Sequence, residues 1–339
     1  MSFFHFLCTA EATAKYCQMV RLWAWSLKNK TSLPADTQFT VTFNDCADEQ
    51  TVKWLMQFEG ASVNIRPRLS KQHAEVNKYN ALWSPDIGKS EWVILTDCDV
   101  VFVNSIVPLI NLLAEVEFGA SPEGHNPVNP PPGHPENYRA IRNYEELLLS
   151  EISLSLDQLR KHRHPWFTDK CPRTDYPYFN GGFIAIKTSK LKEFRNAVVE
   201  LSQKLYFQMR WNHPDPIFFL RRFWNSRWDR TRWADFFCIG PFFRQRYADQ
   251  VALAAAVLKL NLKYTVLPHS YNWRCAGMGH GEEVPPRVIH YFQPAFGIPL
   301  TDILKDYWID SFLSSKNYGK KALAETVLQF LKENRKTNG

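Results

Sequence analysis

The sequence predicts an α/β fold with a mostly parallel central sheet flanked by helices. Two observations support this prediction. Over residues 1–105, apolar runs typical of strands alternate with segments whose apolar residues recur at helical spacing. The run Val93, Ile94, Leu95 has the composition of a strand that is buried on both faces. The resulting βαβαβ order implies parallel strands joined by right-handed crossovers, a half-fold that commonly holds a nucleotide at the carboxyl edge of its sheet.

Each predicted element follows from local pattern. The predicted strands are residues 3–8, 38–43, 62–65, 93–95, 183–186, 264–267 and 288–292. The predicted helices are residues 16–27, 48–58, 75–83, 247–260 and 322–332, with Gly60 as the C-cap of the second. Two stretches break this alternation. Residues 119–178 are dense in proline, glycine and asparagine and predict an extended insert. Residues 206–247 are crowded with Trp, Phe and Arg, and we interpret them as a helical lobe that is aromatic and basic. An acceptor surface, a membrane-surface contact and a stacking surface for single-stranded nucleic acid are the alternatives.

Composition and charge narrow the classes of function. A net charge of +7 over 339 residues fits an anionic ligand such as a nucleotide, but it is too diffuse to indicate nucleic acid. The seven cysteines form no CxxC pair, so we expect reduced thiols in a cytoplasmic protein and no zinc site. The chain begins without a basic signal-peptide region, and no apolar run reaches the roughly 18 residues of a membrane span. Peripheral contact of the aromatic, basic lobe with a membrane surface remains open.

Two carboxylates, Asp97 and Asp99, directly follow the buried run. Side chains two residues apart on a strand point to the same face, and two charges are not buried unpaired in a sheet. We therefore expect both carboxylates at the carboxyl end of the strand, where they could form a binding site for a hard divalent cation. A pair of exposed turn aspartates is the alternative.

Four other motifs are weaker taken singly. Asn180, Gly181 and Gly182 precede a strand and allow a tight backbone path close to a ligand. Asp249 and Gln250 open a helix, where an acidic residue is also favourable for electrostatic reasons alone. His290 stands in an apolar strand, where a histidine is usually a core residue. His162 and His164 have basic neighbours and predict a surface cluster rather than a metal site.

Taken in order, these motifs resemble the GT-A nucleotide-sugar glycosyltransferases, most closely the retaining group that includes glycogenin and related galactosyltransferases. The resemblance rests on the DxD at Asp97–Asp99, FNGG at 179–182, DQ at 249–250, LPHSYNW at 267–273 and IHY at 289–291, and it covers roughly residues 3–295. It implies one domain over residues 1–315, followed by a C-terminal helix and tail at 316–339. Within that domain it implies a nucleotide-binding half (1–105), an insert (106–178) and a half for acceptor and sugar (179–315).

The resemblance also implies roles for single residues. It implies that Asp97, Asp99 and His290 bind a metal ion, and imidazole beside carboxylates favours Mn²⁺, with Mg²⁺ as the second choice. It implies contacts to the donor nucleotide and its diphosphate from Thr9, Ala10, Tyr16, Lys78, Asp97, Cys98, Asp99, Gly181 and Gly182. It implies catalytic roles, beside the anomeric carbon and the donor sugar, for Asp249, Gln250 and Asn180. The family's C-terminal lysine is missing from HYFQPAFG, and Arg287, Arg274 and Lys305 are the candidates to replace it.

The implied activity is transfer of a sugar from a nucleoside-diphosphate sugar, with UDP-sugars favoured, to an acceptor hydroxyl with retention. The acceptor would be a glycan, a lipid-linked molecule or a small molecule, and no nucleic-acid partner is expected. Two rivals remain. The DxD with its apolar run also matches a haloacid-dehalogenase-like phosphohydrolase with Asp97 as nucleophile. The missing lysine would also suit a non-catalytic binder of carbohydrate or nucleotide-sugar. The sequence leaves open the base, the sugar, the acceptor and the oligomeric state.

Overall fold

The structure, a computed structural model, describes residues 2–122, 148–149, 151–166, 173–175, 177–211, 248–274, 285–291 and 297–336. Its strands are β1 (Ser2–Ala10), β2 (Gln38–Asn44), β3 (Ala61–Arg66), β4 (Ser90–Thr96), β5 (Val100–Phe102), β6 (Phe118–Pro122), β7 (His164–Trp166), β8 (Arg173–Asp175), β9 (Phe179–Lys187), β10 (Tyr264–Val266) and β11 (Val288–His290). Its α-helices are α1 (Ala14–Lys30), α2 (Glu49–Leu55), α3 (Leu109–Leu113), α4 (Leu156–Arg160), α5 (Leu191–Trp211), α6 (Ala248–Lys259), α7 (Ile309–Leu313) and α8 (Tyr318–Lys336). Short 3-10 helices span Ala74–Trp83, Ile87–Lys89, Thr188–Lys190, His269–Tyr271 and Leu300–Asp302.

The central sheet has seven strands in the order β10-β6-β9-β4-β1-β2-β3. Strands β3, β2, β1 and β4 are mutually parallel, and β10 is parallel to β6. Strand β9 runs antiparallel to both β4 and β6 and joins these two groups. Strands β5 and β11 form a separate antiparallel pair. The predicted mostly parallel sheet is therefore confirmed.

Helices cover both faces of this sheet. Strand β4 lies inside the sheet, and its side chains alternate between two hydrophobic clusters. Trp92 and Ile94 belong to the cluster that includes residues of α1 and α8. Val93 and Leu95 belong to the cluster that includes residues of α5 and α6. All four side chains are buried, which is why the sequence here is continuously apolar rather than alternating.

Three local predictions need correction. Helix α2 ends at Leu55, and the positive φ of Gly60 serves the turn into β3, so Gly60 is not its C-cap. The helix predicted at 75–83 is a 3-10 helix over Ala74–Trp83. Asn180, Gly181 and Gly182 do not precede a strand but lie inside β9. Because Gly181 and Gly182 have no Cβ, side chains from other segments approach the backbone of β9 closely at these two positions, as described below.

The boundaries of the expected insert also change. Strand β6 falls within residues 106–178 but is a member of the central sheet, so any insert begins after Pro122. Most of the proline-rich stretch, and residues 212–247 of the aromatic and basic lobe, lie outside the described residues. Within the described ranges, no helix is both long enough and apolar enough to cross a membrane.

Candidate active site

The candidate site begins where β4 ends. Asp97, Cys98 and Asp99 connect β4 to β5, and β11 pairs with β5 so that His290 lies opposite Val100. The Nε2 atom of His290 lies 3.1 Å from Oδ1 of Asp99 and 3.7 Å from Oδ2 of Asp97. One ligand atom from each of Asp97, Asp99 and His290 lies within 4.8 Å of the other two. The strand pairing thus gathers the three residues that the sequence assigned to a metal ion.

Backbone hydrogen bonds hold this group in place. The Tyr291 N–H donates to the carbonyl oxygen of Asp99 at 3.1 Å, and the His290 N–H donates to that of Trp273 at 2.9 Å. The Asp97 N–H donates to the carbonyl oxygen of Gly182 at 3.2 Å, which ties the end of β4 to β9. The carboxylates are therefore positioned by segments that are far apart in the chain.

Charge in the group is unevenly distributed. Burial raises the pKa of Asp97, and the nearby charges of Lys78 and His290 offset this only in part. Burial also opposes ionisation of Asp99, but attraction to His290 and a hydrogen bond from it outweigh burial and lower the pKa of Asp99. For His290, burial lowers the pKa and Asp99 more than compensates, so the pKa is raised. Two carboxylates that compete for one imidazole are a donor set that suits a divalent cation such as Mn²⁺.

A cavity of about 320 Å³ opens beside the two carboxylates. The residues that the sequence assigned to the donor nucleotide and that line this cavity are Thr9, Ala10, Tyr16, Lys78, Asp97, Cys98 and Asp99. Sequence reasoning missed other lining residues, namely Glu11, Met19, Asn44, Ala74, Glu75, Asn77 and Leu300. Glu11 directly follows β1 and Asn44 ends β2, so the carboxyl-edge rule used for Asp97 could have found both.

A buried ion pair forms a second wall of the site. Nζ of Lys78 lies 2.6 Å from Oδ2 of Asp249, and the hydroxyl of Tyr79 donates to the carbonyl oxygen of Asp249 at 3.2 Å. Burial would lower the pKa of Lys78, but the carboxylates of Asp249 and Asp97 raise it well above its usual value. Lys78 packs so closely against β9 that a Cβ at Gly181 would collide with its ammonium group. Gly181 is therefore required by the position of Lys78.

Of the catalytic residues that the resemblance implies, Asp249 is a member of this ion pair. Asp249 is buried, and Gln250 follows it in the first turn of α6. Asn180 is buried in β9, and its Oδ1 accepts hydrogen bonds from the Gly182 N–H at 2.8 Å and from Nδ2 of Asn272 at 2.7 Å.

Three basic residues are candidates to replace the C-terminal lysine of the resembled family, and they lie in different surroundings. Arg274 is buried, and its positive charge lowers the pKa of His290, which puts it close to the carboxylate group. Arg287 donates to the carbonyl oxygen of Ser105, and Lys305 is largely exposed and pairs with Asp302 at 2.9 Å. Of the three, Arg274 has the position that suits the role best.

No protein-family model and no curated protein matches the chain. Many solved structures are similar in fold, and three of them are described here. Mouse xyloside xylosyltransferase 1 in its apo form has 13% identity and a TM-score of 0.44 over 87% of this chain and 98% of its own. The galactosyltransferase LgtC, in complex with donor and acceptor sugar analogues, has 14% identity and a TM-score of 0.49 over 96% and 95%. The glycosyltransferase GlyE from Streptococcus pneumoniae TIGR4 has 13% identity and a TM-score of 0.49 over 100% and 65%.

At this identity and these TM-scores, the similarity assigns neither activity nor substrate to this chain. The assignment below therefore depends on the residues of the site.

Proposed function

We propose that this protein is a metal-dependent glycosyltransferase that uses a nucleoside-diphosphate sugar, with UDP-sugars favoured, and retains the configuration at the anomeric carbon. The observation that carries the proposal is the meeting of Asp97, Asp99 and His290, two of which, Asp97 and Asp99, line a cavity. Thr9, Ala10 and Tyr16 line the same cavity from the end of β1 and the start of α1. Nothing in local sequence forces these segments together, so their convergence supports a shared ligand.

The chemistry of the donor set explains the preference for a diphosphate leaving group. A divalent cation bound by Asp97, Asp99 and His290 would supply positive charge where the departing diphosphate gains negative charge. Lys78 and Arg274 add fixed positive charge beside the carboxylates. The Lys78 side chain is only 16% exposed and Arg274 is buried, so their effect on a developing charge is larger than it would be in water.

The residues on the Lys78 side of the site suit the sugar. As the sugar–oxygen bond breaks, the anomeric carbon becomes positively charged, and the carboxylate of Asp249 with the amide oxygen of Gln250 would stabilise it. Asn180 would hold the sugar through hydrogen bonds. In a retaining transfer the acceptor hydroxyl attacks from the face that the phosphate leaves, so the departing phosphate itself can take the proton. A separate protein base is then unnecessary.

One set of measurements separates this proposal from its two rivals. Isothermal titration with UDP-sugars and GDP-sugars in Mn²⁺ is combined with an assay for released nucleoside diphosphate and an assay for hydrolysis of p-nitrophenyl phosphate. A transferase binds a nucleotide-sugar and releases nucleoside diphosphate. A phosphohydrolase cleaves the aryl phosphate, and a non-catalytic protein binds without turnover.

The role of the metal is tested in the same assay. We expect Asp97→Ala and Asp99→Ala to abolish release of nucleoside diphosphate, and excess EDTA to do the same to the wild type. Asp310→Ala removes an exposed carboxylate of α7 and serves as the control that should keep full activity. Full activity of Asp97→Ala or Asp99→Ala in excess EDTA would refute the metal role.

A further inference from the structure

The SYNW segment, residues 270–273, contains a buried asparagine that the proposed reaction does not use. Asn272 follows the 3-10 helix His269–Tyr271 and is 2% exposed. Its Nδ2 donates a hydrogen bond to Oδ1 of Asn180, 2.7 Å away. The two residues lie far apart in the sequence, so this contact exists only in the folded protein.

A second hydrogen bond identifies which terminal atom of the Asn180 side chain is the oxygen and which is the nitrogen. The backbone N–H of Gly182 lies 2.8 Å from the same atom of Asn180. A backbone N–H can only donate, so the atom it meets must be the amide oxygen. With two donors directed at it, that oxygen has both of its lone pairs engaged. Any hydrogen bond between Asn180 and a ligand must then come from an N–H group of its amide.

The contact explains why an asparagine occupies position 272. The Oδ1 atom of Asn272 has no hydrogen-bond partner within the described part of the chain. An amide buried with half of its hydrogen-bonding capacity unmet costs stability, so packing alone does not favour it. The bond to Asn180 is what this side chain contributes.

Asn180 also lies beside the candidate metal ligands. A Cβ built on Gly182 would be 2.9 Å from Oδ1 of Asn180 and 2.5 Å from Nδ1 of His290, so both side chains border the same glycine. Under the proposed function, His290 would help to hold the metal ion, and the diphosphate of the donor would lie beside it. The amide of Asn180 would then be close to the sugar attached to that diphosphate.

We propose that Asn272 is a positioning residue that fixes Asn180 as a hydrogen-bond donor and thereby selects a donor sugar with an acceptor oxygen, a hydroxyl or the ring oxygen, at that place. The assignment rests on the proposed function. It predicts an effect on the sugar half of the donor and none on the nucleotide half, because Asn272 acts only through Asn180.

Two isosteric variants test this assignment from opposite directions. Asn272→Asp replaces the donating NH₂ by an oxygen, which repels Oδ1 of Asn180 and favours rotation of that amide. Asn180→Asp keeps an oxygen that accepts both existing hydrogen bonds but replaces the NH₂ by a second oxygen. Both changes remove the donor that the sugar would meet. Asn64→Asp on the edge strand β3 introduces the same charge away from the site and is the matched control.

The measurement is a ratio of two affinities in Mn²⁺, taken by isothermal titration. The first affinity is for a nucleoside diphosphate, UDP or GDP. The second is for a nucleotide-sugar with the same nucleotide, chosen from glucose, galactose, xylose and mannose derivatives as one that the wild type binds. We expect Asn272→Asp and Asn180→Asp to weaken binding of the nucleotide-sugar about tenfold while the nucleoside diphosphate changes less than twofold. Asn64→Asp should match the wild type for both ligands.

A pH series adds a signature that a purely structural role would not produce. At low pH the carboxyl group introduced by Asn272→Asp becomes protonated and can donate to Oδ1 of Asn180 again. The affinity ratio of that variant should therefore recover as the pH falls. The ratio of Asn180→Asp should also recover, because its protonated carboxyl group can donate to the sugar directly. Using the ratio cancels any loss of metal affinity at low pH.

The outcomes separate this inference from the proposed function. If the wild type binds no nucleotide or nucleotide-sugar, the proposed function fails and the assignment of Asn272 falls with it. If the wild type binds and Asn272→Asp keeps the wild-type ratio, the proposed function stands and the assignment is overturned. Equal weakening for both ligands also overturns it. If Asn272→Asp does not fold, Asn180→Asp decides, and an unchanged ratio in that variant rejects the assignment.

Discussion

The ammonium group of Lys78 lies 2.6 Å from a carboxylate oxygen of Asp249, and the two side chains are only 16% and 5% exposed. Lys78 belongs to the 3-10 helix that lines the cavity, and Asp249 belongs to the first turn of α6. The ion pair therefore joins the wall of the cavity to the start of α6, and two substitutions can test its contribution.

Replacement of Lys78 by methionine should be strongly destabilising. The change leaves the carboxylate of Asp249 buried without its partner, and breaking a buried pair costs about 3–5 kcal/mol of unfolding free energy. Urea denaturation provides the measurement. The control is Lys89→Met, which removes an exposed partner of Asp86 at 3.1 Å and should cost less than about 1 kcal/mol. Similar losses in both variants would contradict the importance of burial at Lys78.

Replacement of Gly182 by alanine should weaken metal binding more than it weakens the fold. A Cβ at this position would lie 2.5 Å from Nδ1 of His290, so the imidazole must move. Overpacking of this kind costs about 1–3 kcal/mol of stability. We expect at least a tenfold loss of Mn²⁺ affinity, measured by electron paramagnetic resonance of free Mn²⁺. Gly88→Ala is the control, because a Cβ there meets no atom within 4 Å. Unchanged Mn²⁺ affinity in Gly182→Ala would show that His290 does not need this glycine.

Addition of Mn²⁺ should stabilise the folded protein through the carboxylate group. A ligand that binds only the folded state raises the unfolding free energy, by about 2.7 kcal/mol at 100 times its dissociation constant. We expect a rise in melting temperature in Mn²⁺ that EDTA reverses and that Asp99→Asn and His290→Gln abolish. Asp310→Asn on α7 should retain the full rise. A rise of equal size in Asp99→Asn would place the ion elsewhere.

Acid should destabilise the protein partly through His5. Burial lowers the pKa of His5 to about 4, and its Nε2 lies 2.7 Å from the hydroxyl of Thr40. The unfolded chain, with a pKa near 6.5, therefore binds more protons than the folded chain between about pH 6.5 and 4. The contribution of neutral His5 to the free energy of unfolding is fully present above pH 6.5. It is lost as the pH falls through this range, by up to about 3 kcal/mol.

Urea denaturation at pH 7.5, 6.5, 5 and 4 tests this effect. His5→Gln removes the titrating group, so its profile should be flatter than that of the wild type between pH 6.5 and 4. At pH 7.5 any difference between the two proteins reports the packing of the side chain alone. Parallel profiles over the acidic range would reject the role of His5.

The order of strands and helices could be predicted because the spacing of apolar residues within each segment reflects which of its faces are buried. The run at Val93 to Leu95 is apolar because both faces of β4 are covered, and the helical spacing of α1 reflects its packing on one of them. The end of α2 could not be predicted in this way. Its last turn is decided by how the chain enters β3, where Gly60 adopts a positive φ, rather than by α2 itself.

For the candidate site, sequence located the groups but not their contacts. The position of Asp97 and Asp99 could be predicted because unpaired charges are unfavourable inside a sheet, so the two carboxylates must lie at the carboxyl end of their strand. His290 was assigned only through a resemblance, because its partners are set by the pairing of β11 with β5. The ion pair of Lys78 with Asp249 and the bond of Asn272 to Asn180 join distant segments, and no local pattern predicts them.

The pairing of β11 with β5 has a consequence for folding kinetics. More than half of the chain separates Asp99 from His290, and closing so long a loop is slow relative to forming local structure. The coordinating atoms can therefore meet only after most of the polypeptide has collapsed into place. In a stopped-flow refolding experiment, uptake of Mn²⁺ would accordingly time one of the last steps in acquiring the native topology.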